Sequence, residues 1–175
     1  FIGSSNQFIF EAANNAGVHP DRAGIEPAIY RTSEKSFQFQ KILGANDSAF
    51  GGSSVSPSGN WMAFTYGKTS FVSQRKLALA RLNNLSERIT IPFDRSVGNI
   101  DWSADEKYLY FTAASNGGSV LYRYTIASKQ LEPLTTFNEG VGSFDEESGK
   151  MVFVKTEVAN PFELYMADAS AKNQQ

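Results

Sequence analysis

Serines preceded by glycines are the residues of this sequence with the clearest potential for chemistry. They occur in GGSSV (51–55) and GGSVL (117–121). A serine nucleophile for acyl transfer typically lies in a G-x-S-x-G turn, and both segments lack the final glycine. The sequence has no Cys and a single His, His19, in a polar loop. It therefore predicts no catalytic residue, metal site or cofactor in this chain, and a solvated His19.

Charged residues offer a second kind of site. Asp94 and Arg95 lie between two predicted strands. We interpret them first as a local ion pair that ties neighbouring repeat units together, with contact to a bound peptide as the alternative. A polar insertion at 11–26 is expected to be a surface excursion, or else a loop that projects towards substrate. Its carboxylates could then bind the ammonium group of a peptide, and they are Glu11, Asp21 and Glu26.

The balance of charge and hydropathy excludes several classes of partner. Lys and Arg number 16, Asp and Glu number 18, and the formal net charge is −2. Without a basic stripe to follow phosphates, nucleic acid is not expected as a partner. No apolar stretch approaches the length of a membrane span, so none is predicted. The acidic run at 145–147 is predicted to be a solvated turn, with a cation or ammonium site as the alternative.

A repeated pattern organises the chain. A polar turn is followed by an aromatic and β-branched run in SPSGNWMAFTY (56–66), SADEKYLYFTA (103–113) and DEESGKMVFVK (145–155). Aligning their phenylalanines gives spacings of 47 and 42 residues, and a weaker first copy aligns Phe10 with Phe64, Phe111 and Phe153. Periods of this length are typical of β-propeller blades, which cannot bury both faces alone and must stack on their neighbours.

Each repeat unit is predicted to contain about four short strands. The run VLYRYTI (120–126) alternates with a period of two, and the proline in LEPLTTF (131–137) indicates an edge strand. The run KLALARL (76–82) would also suit an amphipathic helix, but its place in the repeat favours a strand. The predicted units are 1–47, 50–93, 97–137 and 141–170, followed by a tail at 171–175.

These units resemble the propeller repeats of the prolyl oligopeptidase family of serine peptidases, in its acylaminoacyl-peptidase and dipeptidyl-peptidase-like branch. The resemblance rests on FDRSVGNIDWSADEKYLYFTAASNGGSVLYRYTI (93–126) and NPFELYMAD (160–168). It implies an all-β fold of about four four-stranded antiparallel blades, half of a seven- or eight-bladed ring. It also implies, as partners, the remaining blades and an α/β-hydrolase domain of the same protein, with the tail at 171–175 leading towards that domain.

The resemblance predicts a non-catalytic propeller part that admits short peptides to the active site of a serine peptidase. The alternative is a stand-alone TolB-like propeller that binds a protein or ligand. A propeller enzyme that uses a metal, such as a sugar-acid lyase, fits least well because such sites usually need several histidines. Cytoplasmic and periplasmic locations both remain open. A half ring would expose an apolar blade face at each end and should associate through those faces.

Overall fold

The computed structural model describes residues 2, 6–13, 27–44, 48–68, 74–157 and 162–175. Within these ranges the regular secondary structure consists of fourteen β-strands, all paired antiparallel in four sheets. The described residues include no helix that is long and apolar enough to cross a membrane. The chain divides into two compact units, unit 1 over Phe1–Ser96 and unit 2 over Val97–Gln175.

Unit 1 contains sheets 1 and 2. Sheet 1 has the order β1-β2-β3, and sheet 2 has the order β4-β5-β6-β7. Sheet 1 consists of β1 (Gln7–Ala13), β2 (Pro27–Ser33) and β3 (Ser36–Leu43). Sheet 2 consists of β4 (Ser48–Val55), β5 (Trp61–Lys68), β6 (Lys76–Arg81) and β7 (Asn84–Thr90).

The strand interpretation of KLALARL is confirmed, because these residues form β6. Its four central residues, Leu77 to Ala80, are all buried. A strand covered on both faces needs no alternation of polar and apolar residues. The continuous apolar run that would also suit a helix is therefore the pattern of a doubly covered strand.

Unit 2 contains sheets 3 and 4. Sheet 3 has the order β11-β10-β9-β8, and sheet 4 has the order β12-β13-β14. Sheet 3 consists of β8 (Val97–Trp102), β9 (Tyr108–Ser115), β10 (Gly118–Thr125) and β11 (Gln130–Pro133). Sheet 4 consists of β12 (Gly140–Glu147), β13 (Lys150–Thr156) and β14 (Glu163–Asp168). As the proline predicted, β11 lies at the edge of its sheet.

Two sheets have the four strands that the repeat predicts, and two have three strands in the described residues. Sheet 1 begins at β1, the counterpart of β5, and sheet 4 ends at β14, the counterpart of β6. After β14 the chain turns back, since Gln175 and Met166 exchange two backbone hydrogen bonds, of 3.0 and 3.1 Å. Asp168 holds this turn by accepting hydrogen bonds from the hydroxyl and N–H of Ser170 and from the N–H of Lys172.

The aligned phenylalanines occupy equivalent places in the sheets. In three of the four sheets the phenylalanine pairs across the strands with a tyrosine and stacks on its ring. The stacked pairs are Phe10–Tyr30 at 5.5 Å, Phe111–Tyr122 at 5.7 Å and Phe153–Tyr165 at 6.0 Å between centroids. We call the side of each sheet that carries this residue its Phe face and the other side its opposite face.

Each unit has a core between its two sheets. In unit 1 the Phe face of sheet 2 packs against the opposite face of sheet 1, and in unit 2 sheet 4 packs on sheet 3 in the same way. The core of unit 1 surrounds Ile29 of sheet 1 with residues of sheet 2, namely Phe50, Met62, Phe64, Ala78 and Ala80. In unit 2, Tyr110 and Leu121 of sheet 3 meet Val141, Met151, Phe153 and Ala167 of sheet 4.

The two tryptophans of the chain belong to different units. Trp61 of β5 is half-buried, with the Arg81 guanidinium 4.0 Å from its ring centroid. Trp102, the last residue of β8, is buried, with 4% of its surface exposed. Unit 1 thus holds its indole half-exposed under a cation, and unit 2 holds its indole buried.

Candidate functional site at the bulged inner strands

The first strands of sheets 2, 3 and 4, which we call the inner strands, each contain a β-bulge. The register shifts between Gly51 and Ser54 in β4, between Gly98 and Asp101 in β8, and between Val141 and Phe144 in β12. In β4 and β8 the bulge includes a residue in the left-handed region, Gly52 at φ 56° and Asn99 at φ 43°. A bulge redirects side chains and is common beside functional sites, so the groups around these three positions are the natural candidates. 

In unit 1 the bulge of β4 is contacted by Glu11. One carboxylate oxygen of Glu11 accepts hydrogen bonds from the backbone N–H of Ser53 at 2.7 Å and from its hydroxyl at 2.9 Å. A methyl group on Gly51 would lie 3.0 Å from the other carboxylate oxygen and 3.2 Å from Nη1 of Arg75. Glu11 and Arg75 therefore place opposite charges beside the same glycine.

The position of Glu11 corrects the predicted start of the insertion. Glu11 is a strand residue, and β1 continues to Ala13. Because β1 continues past the predicted boundary, its side chains still alternate between the two faces of sheet 1 at this point. The alternation places the Glu11 side chain on the same face as Ile29, which is the face that packs against sheet 2. Asp21 and Glu26, together with His19, lie outside the described residues.

Asp94 and Arg95 form a local ion pair. Nε of Arg95 lies 3.1 Å from Oδ1 of Asp94, and the Asp94 side chain is 86% exposed. The Arg95 guanidinium also lies 5.0 Å from the ring centroid of Phe93. The two side chains thus pair locally, while their linking of neighbouring repeat units and their contact with a peptide both remain predictions.

Residues 74 and 75 connect these candidates along one edge of unit 1. Arg75 lies beside Glu11 at the bulge, and the side-chain amide of Gln74 donates a hydrogen bond to the backbone carbonyl of Asp94. Sequence analysis missed both residues. The sequence contains one indication of them, because both residues directly precede the run that is predicted to form a strand and that forms β6. The edge presents two acidic and two basic side chains on one unit, a combination suited to a peptide with charged ends.

In unit 2 the equivalent edge holds a cleft of about 580 Å³. Most of its lining residues are glycines or polar residues, contributed by the β9–β10 turn, the start of β12 and the end of β13. The lining includes Asn116, Gly117, Gly118, Phe137, Gly140, Gly142 and Glu157. Glycine at 118 is required, because a methyl group there would lie 2.0 Å from the carbonyl oxygen of Phe137.

Beside this cleft a buried lysine is held between two carboxylates. Nζ of Lys155 lies 2.7 Å from Glu139 and 3.0 Å from Glu157, and 9% of its side chain is exposed. The hydrogen bond with Glu139 raises the pKa of Lys155. Burial acts to raise the pKa of Glu139, but the hydrogen bonds from Lys155 and from the N–H of Thr136 outweigh it and the pKa is lowered. The group is therefore charged and paired at neutral pH.

Sequence analysis also missed Lys155, although a signal existed. In MVFVKT the lysine follows Met151 and Phe153 at a spacing of two, which assigns it to the same face of the strand. A charged side chain on a core-facing position needs a partner close by. Lys155 is thus an anchored cation and does not have a free amine available as a base.

The acidic run at 145–147 is corrected at its central residue. Glu146 is buried, with 6% exposed, whereas Asp145 and Glu147 are exposed as predicted. Its carboxylate accepts hydrogen bonds from the N–H of Ala104 at 3.2 Å and from the N–H of Gly149 at 2.7 Å. The bond from Ala104 joins sheet 4 to the β8–β9 turn, and the bond from Gly149 is local to the turn between β12 and β13. Glu146 is therefore a link within unit 2, and the solvated-turn interpretation was wrong for it.

The other acidic residue of this region is Asp101, in the bulged part of β8. Its Oδ1 accepts a hydrogen bond from the N–H of Trp102 at 2.8 Å. Burial raises the pKa of Asp101, and the neighbouring charges of Asp145 and Glu146 add to the effect. Across the described ranges, no group of three or more His, Asp or Glu side chains is arranged to hold a metal ion.

Known structures resemble this fold closely, whereas no family model and no curated protein matches the chain. A putative TolB from Agrobacterium tumefaciens aligns with 97% of the chain and 60% of its own length, at 18% identity and a TM-score of 0.71. The β-propeller domain of the Trilobed protease from Pyrococcus furiosus aligns with 97% of the chain and 51% of its own length, at 15% and 0.71. An acylaminoacyl peptidase from Pyrococcus horikoshii aligns with 92% of the chain and 24% of its own length, at 16% and 0.65.

These likenesses establish the fold class that the repeat predicted. The chain is an all-β protein of the β-propeller type, and its four sheets correspond to part of a propeller. It spans 60% or less of the length of each of these neighbours. At identities below 20% the likeness shows the fold but not the activity, which has to be argued from the residues of the site.

Proposed function

We propose that this chain is the non-catalytic propeller part of a prolyl-oligopeptidase-family serine peptidase. In that role it admits short peptides to the active site of an α/β-hydrolase domain of the same protein. The observation that carries the proposal is the combination of the 93–126 motif with propeller neighbours from two peptidases. The chain itself lacks a G-x-S-x-G turn, so the catalytic serine, aspartate and histidine belong to the partner domain.

Selection by size is the physical basis of this function. A propeller leaves a narrow polar passage at its centre, and a folded domain would have to forfeit a stability of about 5–15 kcal/mol to thread it. A short or unfolded peptide has no such barrier.

The charged edge of unit 1 supports a role in holding peptide ends. Carboxylates such as Glu11 and Asp94 suit a terminal ammonium group, and the guanidinium groups of Arg75 and Arg95 suit a terminal carboxylate. Ser53 already positions the Glu11 carboxylate, and Gln74 holds the backbone carbonyl of Asp94. The edge would therefore orient a peptide without large rearrangement. Asp21 and Glu26 remain additional candidates for the ammonium group.

Isothermal titration of the chain with unstructured peptides of four to eight residues tests this role. Substitution E11Q keeps an acceptor for Ser53 but removes the charge, and it should weaken binding about tenfold, or about 1.4 kcal/mol. The control E147Q alters an exposed acid on another sheet and should leave the affinity unchanged. Equal affinity of E11Q and the parent chain would exclude Glu11 from the site.

Two further measurements separate the peptidase role from the TolB-like alternative, which the Agrobacterium neighbour supports equally well. A fluorophosphonate probe should leave the 175-residue chain unlabelled, and any labelled serine would contradict the proposal. The coding sequence beyond Gln175 should contain a G-x-S-x-G turn followed by Asp and His within about 250 residues. If that sequence lacks the turn, the binding-module alternative replaces the peptidase role.

A further inference from the structure

A groove of unit 1 lies along β7, at the edge of sheet 2 that is remote from β4. Its volume is about 770 Å³, which is enough for a short peptide segment. On β6, Leu79 and Arg81 are two positions apart. Their partners on β7, Ile89 and Asn84, are five positions apart, so β7 bulges at this point. The β7 groove, as we call it, therefore lies where a bulge redirects side chains.

Two arginines of the groove lie over aromatic rings. The guanidinium carbon of Arg81 is 4.0 Å from the ring centroid of Trp61. That of Arg88 is 4.1 Å from the ring centroid of Tyr66. Both arginines are exposed, and the ion pairs within the described ranges include neither of them. Contact with a ring holds a guanidinium group in place while its N–H groups stay available, which suits a planar anion.

The charges of the groove match an anion with a single charge. The charged residues among those that line it are Arg81, Arg88 and Glu87, which gives a net charge of +1 at neutral pH. A carboxylate carries one negative charge and accepts two parallel hydrogen bonds from a guanidinium group. A phosphate monoester carries nearly two charges, so Glu87 would repel it more strongly. The groove therefore favours a carboxylate over a phosphate.

The rest of the lining offers contacts that suit a peptide better than a small carboxylic acid. Ile89 is 40% exposed and gives the groove an apolar patch. The hydroxyl of Ser86 donates a hydrogen bond of 2.6 Å to Oδ1 of Asn84, so Asn84 presents its amide N–H groups to a ligand. These two residues suit an apolar side chain and a peptide carbonyl.

We propose that the β7 groove binds a peptide segment of a partner protein in which a carboxylate neighbours an apolar side chain. The carboxylate binds Arg81, the apolar side chain packs against Ile89, and Arg88 adds to the attraction. An acidic side chain and a chain terminus present the same chemistry. The proposal goes beyond the proposed function, which assigns the ends of a substrate peptide to the other edge of unit 1, near Glu11 and Arg75.

Isothermal titration of the full 175-residue chain with blocked peptides tests the ligand. Acetylated and amidated peptides of about eight residues carry no terminal charge, so they cannot use a site for peptide ends. A peptide with Glu-Leu at its centre should bind about tenfold more tightly than one with Gln-Leu, and about threefold more tightly than one with Glu-Gly. A Gln-Leu peptide with a free C-terminal carboxylate distinguishes a chain terminus from a side chain as the source. If neither carboxylate improves on the blocked Gln-Leu peptide, the proposal is wrong.

Variants of exposed residues locate the site. Substitution R81Q should remove the advantage of either carboxylate, a loss of about tenfold, while the circular dichroism spectrum is unchanged. The control K129Q removes the same charge from an exposed residue in the turn between β10 and β11 and should leave the affinity unchanged. Substitution E87Q removes the repelling acid and should raise the affinity about threefold, a gain that a misfolded variant could not produce. Equal weakening by K129Q, or an affinity that neither R81Q nor E87Q alters, would overturn the proposal.

Discussion

Unit 1 and unit 2 pack their sheets by the same rule of faces, but different side chains hold the two interfaces. The interface of unit 1 is apolar around Ile29 and Phe64, and Glu11 reaches Ser53 from its periphery. The interface of unit 2 combines an aromatic core with polar links at its centre and edge. These links are Glu146 to the N–H of Ala104, Tyr110 to the carbonyl of Ala169, and Asn99 to the carbonyl of Gly142.

The difference shows that one repeat pattern can be stabilised in two ways. The stabilisation from apolar contact is roughly proportional to the buried area and has no preferred direction, so it tolerates small shifts between sheets. Buried hydrogen bonds fix the register of the sheets, and they become costly when one partner is lost. We therefore expect unit 1 to be sensitive to side-chain volume and unit 2 to be sensitive in addition to single polar atoms.

The largest effect is expected in the core of unit 1. Substitution F64A removes a fully buried ring and should lower the free energy of unfolding by about 3–5 kcal/mol, since the cavity only partly collapses. Hydrogen exchange should show the loss of protection first in β4 to β6. The matched substitution F10A acts on a half-buried ring of the same repeat position and should be much milder. Equal effects of the two would mean that Phe10 is covered in solution.

The second-largest loss of unfolding free energy is expected at the polar links of unit 2. Substitution E146A leaves the N–H groups of Ala104 and Gly149 without their acceptor, and it should lower the free energy of unfolding by about 2 kcal/mol. The corresponding loss in unit 1, from E11A, should be about 1 kcal/mol because that bond is solvent-accessible. Chemical denaturation of both variants measures the contrast. If E11A proves the more damaging, the two units do not differ as described.

The ion pair of Lys155 with Glu139 should make the free energy of unfolding of unit 2 depend on pH in both the acidic and the alkaline range. Its raised pKa means that the stabilisation is complete below the pKa of an unfolded lysine and is lost as pH rises through the folded value. The lowered pKa of Glu139 means that the stabilisation is lost as pH falls through its folded value. Between about pH 5 and 10, K155M should lower the free energy of unfolding by about 1 kcal/mol. The exposed neighbour is the control, and K150M should leave the pH profile unchanged.

The smallest effect is expected at Asp101, and it has the opposite sign. A carboxyl with a raised pKa reduces stability wherever it is ionised, and protonation at low pH removes that penalty. Substitution D101N keeps an acceptor for the N–H of Trp102 and should raise the free energy of unfolding by about 0.5 kcal/mol at neutral pH and by nothing below pH 4.

At Asp105, hydrogen bonds from Lys107 and Ser103 lower the pKa to about 2. D105N should therefore be destabilising, and a gain at both positions would contradict this account.

The strands were predictable from the sequence because aromatic and β-branched runs determine them locally. The links between sheets were not, because they depend on which residues the registers bring together. Glu146 shows this best: its neighbours Asp145 and Glu147 are exposed, whereas Glu146 is buried and accepts a hydrogen bond from the N–H of Ala104, 42 positions earlier. The bulge of β8 was missed for a similar reason, since Asn99 adopts a left-handed conformation that is usually signalled by glycine.

The candidate site was predicted in part. Asp94 and Arg95 were found because they are adjacent in the sequence, and Glu11 was found by its charge, although as part of a loop. Arg75 and Gln74 join them only through the pairing of β5 with β6, which a single sequence does not specify to the residue.

The placement of one indole in each unit gives the molecule two separate optical reporters. Trp102, which is buried, should fluoresce at shorter wavelength and resist quenching by acrylamide. Trp61, half-buried beneath the Arg81 guanidinium, should emit further to the red and be quenched more readily. The emission of a W61F variant then arises from unit 2 alone, and that of W102F from unit 1 alone. The unfolding of each unit can thus be followed through the emission of its own tryptophan.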